Sequence, residues 1–363
     1  MNIYLLLLLL PPIIVCLVMK WRCHSTISWK EMAVQFVVPL ILIAVVWNVS
    51  RYAQMQDTEI LNGEVTSKKR VWTSCSHSYQ CRCRTVYTGS GKNRSSHREC
   101  DTCYEHFNDW NWTVYTTVGN FDIERVDRRG SYEPPRWSIV AAGQPVAKEH
   151  SYLNYIKAAP DSLFHAVNAK KYSGDLPKYP GVYDYQYADR VIPFGVNVPN
   201  IAVWNQTVAE SLIKLGAAKQ ANVVVVLTNE GTDFADALQA KWLGGKKNDI
   251  LVVIGTTYPA IKWVRVYSWS KHDIINVSLR NDLMESKTLD VNRTVGIIAS
   301  NVSQYYERKP MEDFEYLADE AVPSTWVMVL ALIIGFGASI WMGIYFHQNE
   351  CFEGRGTRFR RRF

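Results

Sequence analysis

Between residues 50 and 324 the sequence lacks a surplus of either charge, with 32 Lys and Arg against 31 Asp and Glu. A body built to bind nucleic acid concentrates positive charge on itself. The formal net charge of +6 therefore belongs elsewhere in the chain, and nucleic acid is not among the expected partners. A nucleotide-cradling loop is missing too. The "GGKK" step at 244–247 has neither the upstream glycine spacing nor the Ser/Thr of a phosphate loop. No Ser-His-Asp or Cys-His set stands out as a nucleophile with its base.

Three stretches lack charge altogether: residues 3–19 ("IYLLLLLLPPIIVCLVM"), 32–47 ("MAVQFVVPLILIAVVW") and 325–346 ("TWVMVLALIIGFGASIWMGIYF"). A membrane-spanning helix needs roughly 17–25 mostly apolar residues. The third run meets this and the first two lie near its lower limit. Prolines at 11, 12 and 39 kink those two, which neighbouring helices tolerate. The first run has no positive residue ahead of it and no small-x-small site behind it, so it does not read as a signal peptide. Cys16 follows Ile-Ile-Val, a poor acylation context.

Three spanning helices are expected. Lys20, Arg22 and Lys30 outnumber Glu31 in the first loop, and Arg355, Arg358, Arg360, Arg361 and Arg362 outnumber Glu350 and Glu353 in the tail. The positive-inside bias puts both on the cytoplasmic side, the tail also touching anionic lipid, and leaves residues 50–324 in a periplasm, lumen or exterior.

Cysteine is sparse, eight in 363 residues, yet five fall between 75 and 103. The stretch "SCSHSYQCRCRTVYTGSGKNRSSHRECDTCYEH" offers Cys75, Cys81, Cys83, Cys100 and Cys103, with His77 and His106 near its ends. Zinc takes four such ligands, often as two close pairs. Cys81 with Cys83 and Cys100 with Cys103 would be those pairs, joined by a hairpin turning at Gly-Ser-Gly as in a zinc ribbon. An exported segment meets oxidising conditions, where the same cysteines form bridges instead. The adjacent histidines favour metal, and so many ligands leave no open position, which makes the zinc structural. His97, alone in the spacer, reads as an exposed loop residue.

Around this stretch, 110–119, 121–130 and 136–150 read as strands of a small β-rich module. Trp110, Trp112 and Trp137 read as its core rather than as a ligand surface. Residues 151–200, rich in Tyr, Pro and Asp, read as an irregular connection with a short helix near 152–159. From 205 the texture alternates: a helix, the β-branched run "NVVVVLT", the helix "DFADALQAKWLGG", strands at 249–255 and 261–269, and helices near 273–286 and 292–308. That is an α/β layer on a mixed sheet.

The segment "QANVVVVLTNEGTDFADALQAKWLGGKKNDILVVIGTTYPAIKWVRVYSW" resembles the core of the TPM domain family. The features that carry it are Val223 to Val226, Ala235, Trp242, Gly244 to Lys247 and Asp249 to Ile254, and it covers about residues 200–310. The resemblance implies an exported, membrane-anchored α/β domain. Some members of that family bind calcium or are acid phosphatases, so Asp233, Asp236 and Asp249 become candidate calcium ligands. Each also has an ordinary use: a cap, a solvated helix face and a turn. The family's opening segment is not recognisable before 205. "SCSHSY", "CDTCYEH", "EPPRW" and "NYIKAAPDSLF" resemble uncharacterised membrane proteins of large tailed bacteriophages. Against that origin stand seven Asn-x-Ser/Thr sequons, at 48, 93, 111, 205, 276, 292 and 301.

The expected protein is therefore membrane-anchored and α+β. Residues 1–49 hold two transmembrane helices, 50–150 a zinc-ribbon-like Cys/His module, and 151–200 the connection. Residues 201–324 form the TPM-like domain, 325–346 the third spanning helix and 347–363 a basic cytoplasmic tail. Gly335, Ser339 and Gly343 offer a small-residue helix face for self-association or a protein partner. The expected role is binding or assembly, the alternative a metal-dependent phosphatase-like hydrolase; whether the chain is an enzyme is left open.

Overall fold

A computed structural model describes residues 8–22, 28–89, 94–159, 172, 174–183 and 186–349. Residues 350–363 of the basic tail, five residues of the first apolar run, the Ser90–Gly91 part of the expected turn and the Asn93 sequon lie outside the described residues. The chain is α+β and divides into two units. One comprises Met1–Asp57, Tyr152–Ala166 and Pro310–Phe363, the other Thr58–Ser151 and Val167–Lys309.

The first unit is helical: α1 (Leu10–Arg22), α2 (Trp29–Met55), a short α4 (Tyr155–Ala158), a 3₁₀ segment (Met311–Glu320) and α9 (Thr325–Asn349). The start of α2 follows from its sequence. Ser28 Oγ accepts from the Glu31 N–H at 3.3 Å, and the Glu31 carboxylate accepts from the Ser28 N–H at 2.8 Å, a reciprocal cap. Two helices, Trp29–Met55 and Thr325–Gln348, are long and apolar enough to cross a membrane. The described part of α1 spans only 13 residues. These helices place apolar side chains such as Ile41, Val45, Val49, Ile333 and Ile344 outward, while Glu31, Gln35 and Ser339 are buried.

The small-residue stripe is used within the chain. A Cβ on Gly335 would fall 2.8 Å from Ile43 Cδ1, and one on Gly343 2.6 Å from Gln35 Nε2. Gln35 Nε2 donates to the Ser339 carbonyl at 2.9 Å. Gly335, Ser339 and Gly343 thus let α9 lie close on α2, as small residues do between helices in lipid.

The second unit holds three sheets. The first has strand order β5-β4-β1-β6, with β1 (Gln56–Ser74), β4 (Asn108–Thr116), β5 (Phe121–Ile123) and β6 (Pro145–Leu153). Strands β1 and β4 are antiparallel, with Trp72 opposite Trp110 and Lys69 opposite Thr113. Val65, Trp112, Val114, Ile123, Val140 and Val146 form its core. Trp112 fills that core, its indole N–H donating to the Gly130 carbonyl at 3.2 Å, with Trp137 edge-on at 5.0 Å. Trp110 instead lies under the Arg70 guanidinium, 4.5 Å from its ring centre.

The expected strand over 136–150 is only half a strand. Pro135–Ile139 forms a helical turn, α3, because Pro135 takes a first-turn position where its missing N–H costs nothing; β6 begins at Pro145. The expected strand over 121–130 stops at Ile123. A separate hairpin pairs β2 (Ser78–Thr88) with β3 (Ser95–Tyr104), and neither strand buries a side chain fully.

The third sheet has order β10-β9-β8-β7, from β7 (Val191–Phe194), β8 (Asn222–Thr228), β9 (Asp249–Thr257) and β10 (Ala260–Ser268). The first three in chain order are parallel, and β10 turns back antiparallel on β9. Every residue of β8 is buried, as a continuous β-branched run requires when both faces are covered. Val223, Val225 and Leu227 pack under α5 (Ile201–Lys219), α7 (Ile274–Ser286) and α8 (Val291–Tyr305). Val224 and Val226 pack on the other face against Phe234, Ala235, Leu238 and Trp242, from and beside α6 (Thr232–Lys241). Strand alternation decides which valine meets which layer. Helix α6 stops at Gly244 and Gly245, whose φ of 76° and 88° suit glycine.

Candidate metal centre

The five clustered cysteines do not act as one ligand set. Cys81 is bridged to Cys103 and Cys83 to Cys100, both across the β2–β3 hairpin. The zinc-ribbon assignment of these four is corrected accordingly: the hairpin, with its register shift between Cys81 and Arg84, brings each thiol to a partner on the other strand rather than to a shared ion. That leaves Cys75 as the odd thiol, buried and unbridged.

Cys75 is not isolated. It lies with His77, His106 and Asp109, and one ligand atom from each falls within 4.8 Å of the others. Among the described residues this is the one group of His, Cys and acidic side chains gathered closely enough to hold a metal ion. Cys75 and His77 stand on the link from β1 to β2, His106 on the link from β3 to β4, and Asp109 at the start of β4. The hairpin returns the chain to its own base, bringing two links 30 residues apart in sequence into contact; the Glu105 N–H donates to the His77 carbonyl at 3.1 Å.

The geometry within the group is convergent. Cys75 Sγ lies 3.8 Å from His77 Nδ1, and the same nitrogen lies 3.5 Å from Asp109 Oδ2. His106 Nε2 contacts Asp109 Oδ1, and the two imidazoles have centres 5.5 Å apart. A nucleophile–base–acid relay needs the two nitrogens of one imidazole to face different partners. Here Nδ1 of His77 faces both the thiol and the carboxylate, which is the arrangement of ligands around a common point.

The acid is prepared for such a role. Asp109 is fully buried, and burial pushes its carboxyl up. The Ser76 N–H at 3.1 Å, His106 and the Arg125 guanidinium at 3.0 Å outweigh that and hold it well below the usual carboxylate range. Ser76 and Arg125 both engage Oδ2. Oδ2 also lies 3.5 Å from His77 Nδ1 while Oδ1 turns to His106, so Ser76 and Arg125 orient the carboxylate between the two imidazoles.

Among the described residues, Asp233, Asp236 and Asp249 join no such group. Asp233 is exposed in the first turn of α6, and Asp236 accepts from the Tyr267 hydroxyl at 3.1 Å. Asp249 is buried with both oxygens engaged, by Asn222 Nδ2 at 2.7 Å, the Lys246 N–H at 2.7 Å and the Tyr179 hydroxyl at 2.8 Å. Burial raises its carboxyl pKa, and these donors only partly offset that. Asn222 also accepts from Arg190 at 2.7 Å, a fully buried guanidinium that burial lowers to about 10. This network joins β7, β8 and β9 and is filled by protein groups.

Two residues of the site were not legible beforehand. Asp109 lies outside the cysteine-rich segment and reads as the polar entry to a strand; its spacing of three from His106 was the available signal. Arg125 has no local signal, being supplied by the turn after β5. Two sequon asparagines have structural uses. Asn205 is buried and accepts from the Arg190 and Val191 N–H groups at 2.6 and 2.8 Å, while Asn301 is buried and donates to Asp282 at 2.7 Å.

Comparison with family models, with curated proteins and with solved structures finds no match to this chain. The site therefore rests on its own chemistry.

Proposed function

We propose that this chain is a membrane-anchored binding or assembly protein that presents residues 50–324 on the non-cytoplasmic side, as a zinc-holding β module and a TPM-like α/β domain. The observation that carries the reading is the pair of bridges, Cys81–Cys103 and Cys83–Cys100. Such bridges persist in oxidising compartments and are rare where thiols are kept reduced. The apolar outward surfaces of α2 and α9 supply the anchor, and the first apolar run would add a third crossing. The basic residues Lys20, Arg22 and Lys30 are retained on the opposite side. The TPM resemblance of residues 200–310 is supported by a mixed sheet with helices on both faces, with Ala235 and Trp242 in its packing.

Zinc is the ion that suits the donors. One thiolate, two imidazoles and one carboxylate are ligand types that zinc accepts, and four of them would fill its usual coordination and leave no position for a reacting water. Cys75, His77, His106 and Asp109 would hold it, which makes the site structural.

The test is sidedness. Intact cells or spheroplasts making the full chain are treated with protease or with a membrane-impermeant amine reagent. Residues within 50–324 should be cut or labelled from outside, while a reporter fused after Phe363 stays protected. Protection of 50–324 with an accessible reporter overturns the reading.

A further inference from the structure

The β2–β3 hairpin has no core of its own. Among its residues the half-buried positions are mainly the four bridged cysteines, and the remainder faces solvent. A two-stranded hairpin is at best marginally stable in water. The two bridges fasten one strand to the other. They do not fasten the hairpin to the body, which it joins through the links 75–77 and 105–107.

Those links carry three of the four ligands, and Asp109 carries the fourth at the root of β4. Resting on the metal reading above, we propose that a bound divalent ion of the zinc class is the clamp that closes the base of this bridged arm and fixes its direction. The ligands come in two groups, Cys75 with His77 and His106 with Asp109, so one ion ties the outgoing link to the returning one. The local hydrogen bonds are oriented for this. The Ser76 N–H donates to Asp109 at 3.1 Å across the two links, the Glu105 N–H to His77 O at 3.1 Å, and the His77 N–H to Cys75 Sγ at 3.4 Å. The first two amides cross the base and report directly on whether it is closed; the third, within the outgoing link, reports on the Cys75 thiol. Arg125, paired with Asp109 Oδ2, is a positioning residue: it keeps the carboxylate turned and anchors it to the body.

The experiment uses the full chain in detergent. Metal content is measured first by elemental analysis, and amide hydrogen exchange is then followed with zinc bound, after chelation and after zinc is restored. Chelation should speed exchange at Ser76, His77 and Glu105 at least tenfold, leave the bridges intact by mass and leave β7–β10 unchanged; zinc should reverse it. Cys75→Ser should exchange like the chelated protein whether or not zinc is added. One zinc per chain with no change in those amides overturns the clamp and leaves the metal reading standing. No stoichiometric binding of zinc or of cobalt as a spectroscopic substitute overturns both.

Discussion

At the scale of single residues, the decisive side chain is Asp109. It is buried, it contacts both histidines, and its second oxygen is held by Ser76 and Arg125. Asp109→Asn keeps the shape but removes the buried anion that Ser76, His106 and the partly exposed Arg125 engage, so the metal-free protein should lose roughly 2 kcal/mol, the scale of hydrogen bonds to a charged group. Urea unfolding followed by tryptophan fluorescence would measure this, since Trp110 and Trp112 adjoin the site in the same strand. An unchanged midpoint would mean that Arg125 finds solvent without penalty and that Asp109 is not the centre of the group. Five clustered cysteines are an odd number, so pairing in bridges leaves one thiol over. Which one was left, and with whom, depended on a register no count contains.

At the scale of elements, glycines on helices separate packing from propensity. Alanine is preferred to glycine inside a helix by about 1 kcal/mol. In α8, a Cβ on exposed Gly296 would meet nothing within 4 Å, so Gly296→Ala should gain roughly that amount. In α5, a Cβ on Gly216 would fall 2.2 Å from the Asn62 carbonyl oxygen and 2.9 Å from its carbon. Backbone cannot yield as a side-chain end does. Overpacking costs about 1–3 kcal/mol, so Gly216→Ala should come out destabilised despite its better propensity. Thermal unfolding of both variants beside the parent decides this, and equal shifts of the same sign would refute it. Elements themselves were the most legible part of the chain. The run "NVVVVLT" is β8 residue for residue, and the strand over 249–255 extends only to Thr257. The short strand β7 was missed inside a Tyr/Pro-rich stretch, because its pairing with β8 is supplied by a neighbour. The strand assigned over 136–150 failed at Pro135, where proline's helix-start preference outweighed the aromatic and β-branched content that followed.

At the scale of the whole molecule, the bridges and the α/β sheet have separate energetics. A bridge closing a loop of this size stabilises by roughly 3 kcal/mol in the chain-entropy view; here the two loops are nested, with separations of 22 and 17, so the second bridge closes only a small ring and adds less. Their strands bury little, so the effect stays local. Reduction should remove exchange protection in β2 and β3 and leave β8 and β9, buried with helices on both faces, with unaltered protection. Loss of protection in that sheet on reduction would show that the hairpin carries stability for the entire second unit. Helices α2 and α9, the two long and apolar enough to cross a membrane, differ from the sheet: apolar residues such as Ile41, Val45 and Ile333 face outward, while Gln35 and Ser339 are buried along with Ile43, Trp47 and Ala331.

The sequence by itself determined what depends on near neighbours and on composition: the charge-free runs, the α/β alternation after 205, and a cysteine cluster with one thiol to spare. Hydropathy and strand periodicity are local properties, so a linear reading recovers them. Only the tertiary structure decided the chemistry of 75–109. The hairpin register chose bridges for Cys81, Cys83, Cys100 and Cys103, and the return of the chain to its own base brought Asp109 and Arg125 to Cys75. Ligand geometry is set by distances between residues far apart in sequence, and those distances exist only once the strands have paired.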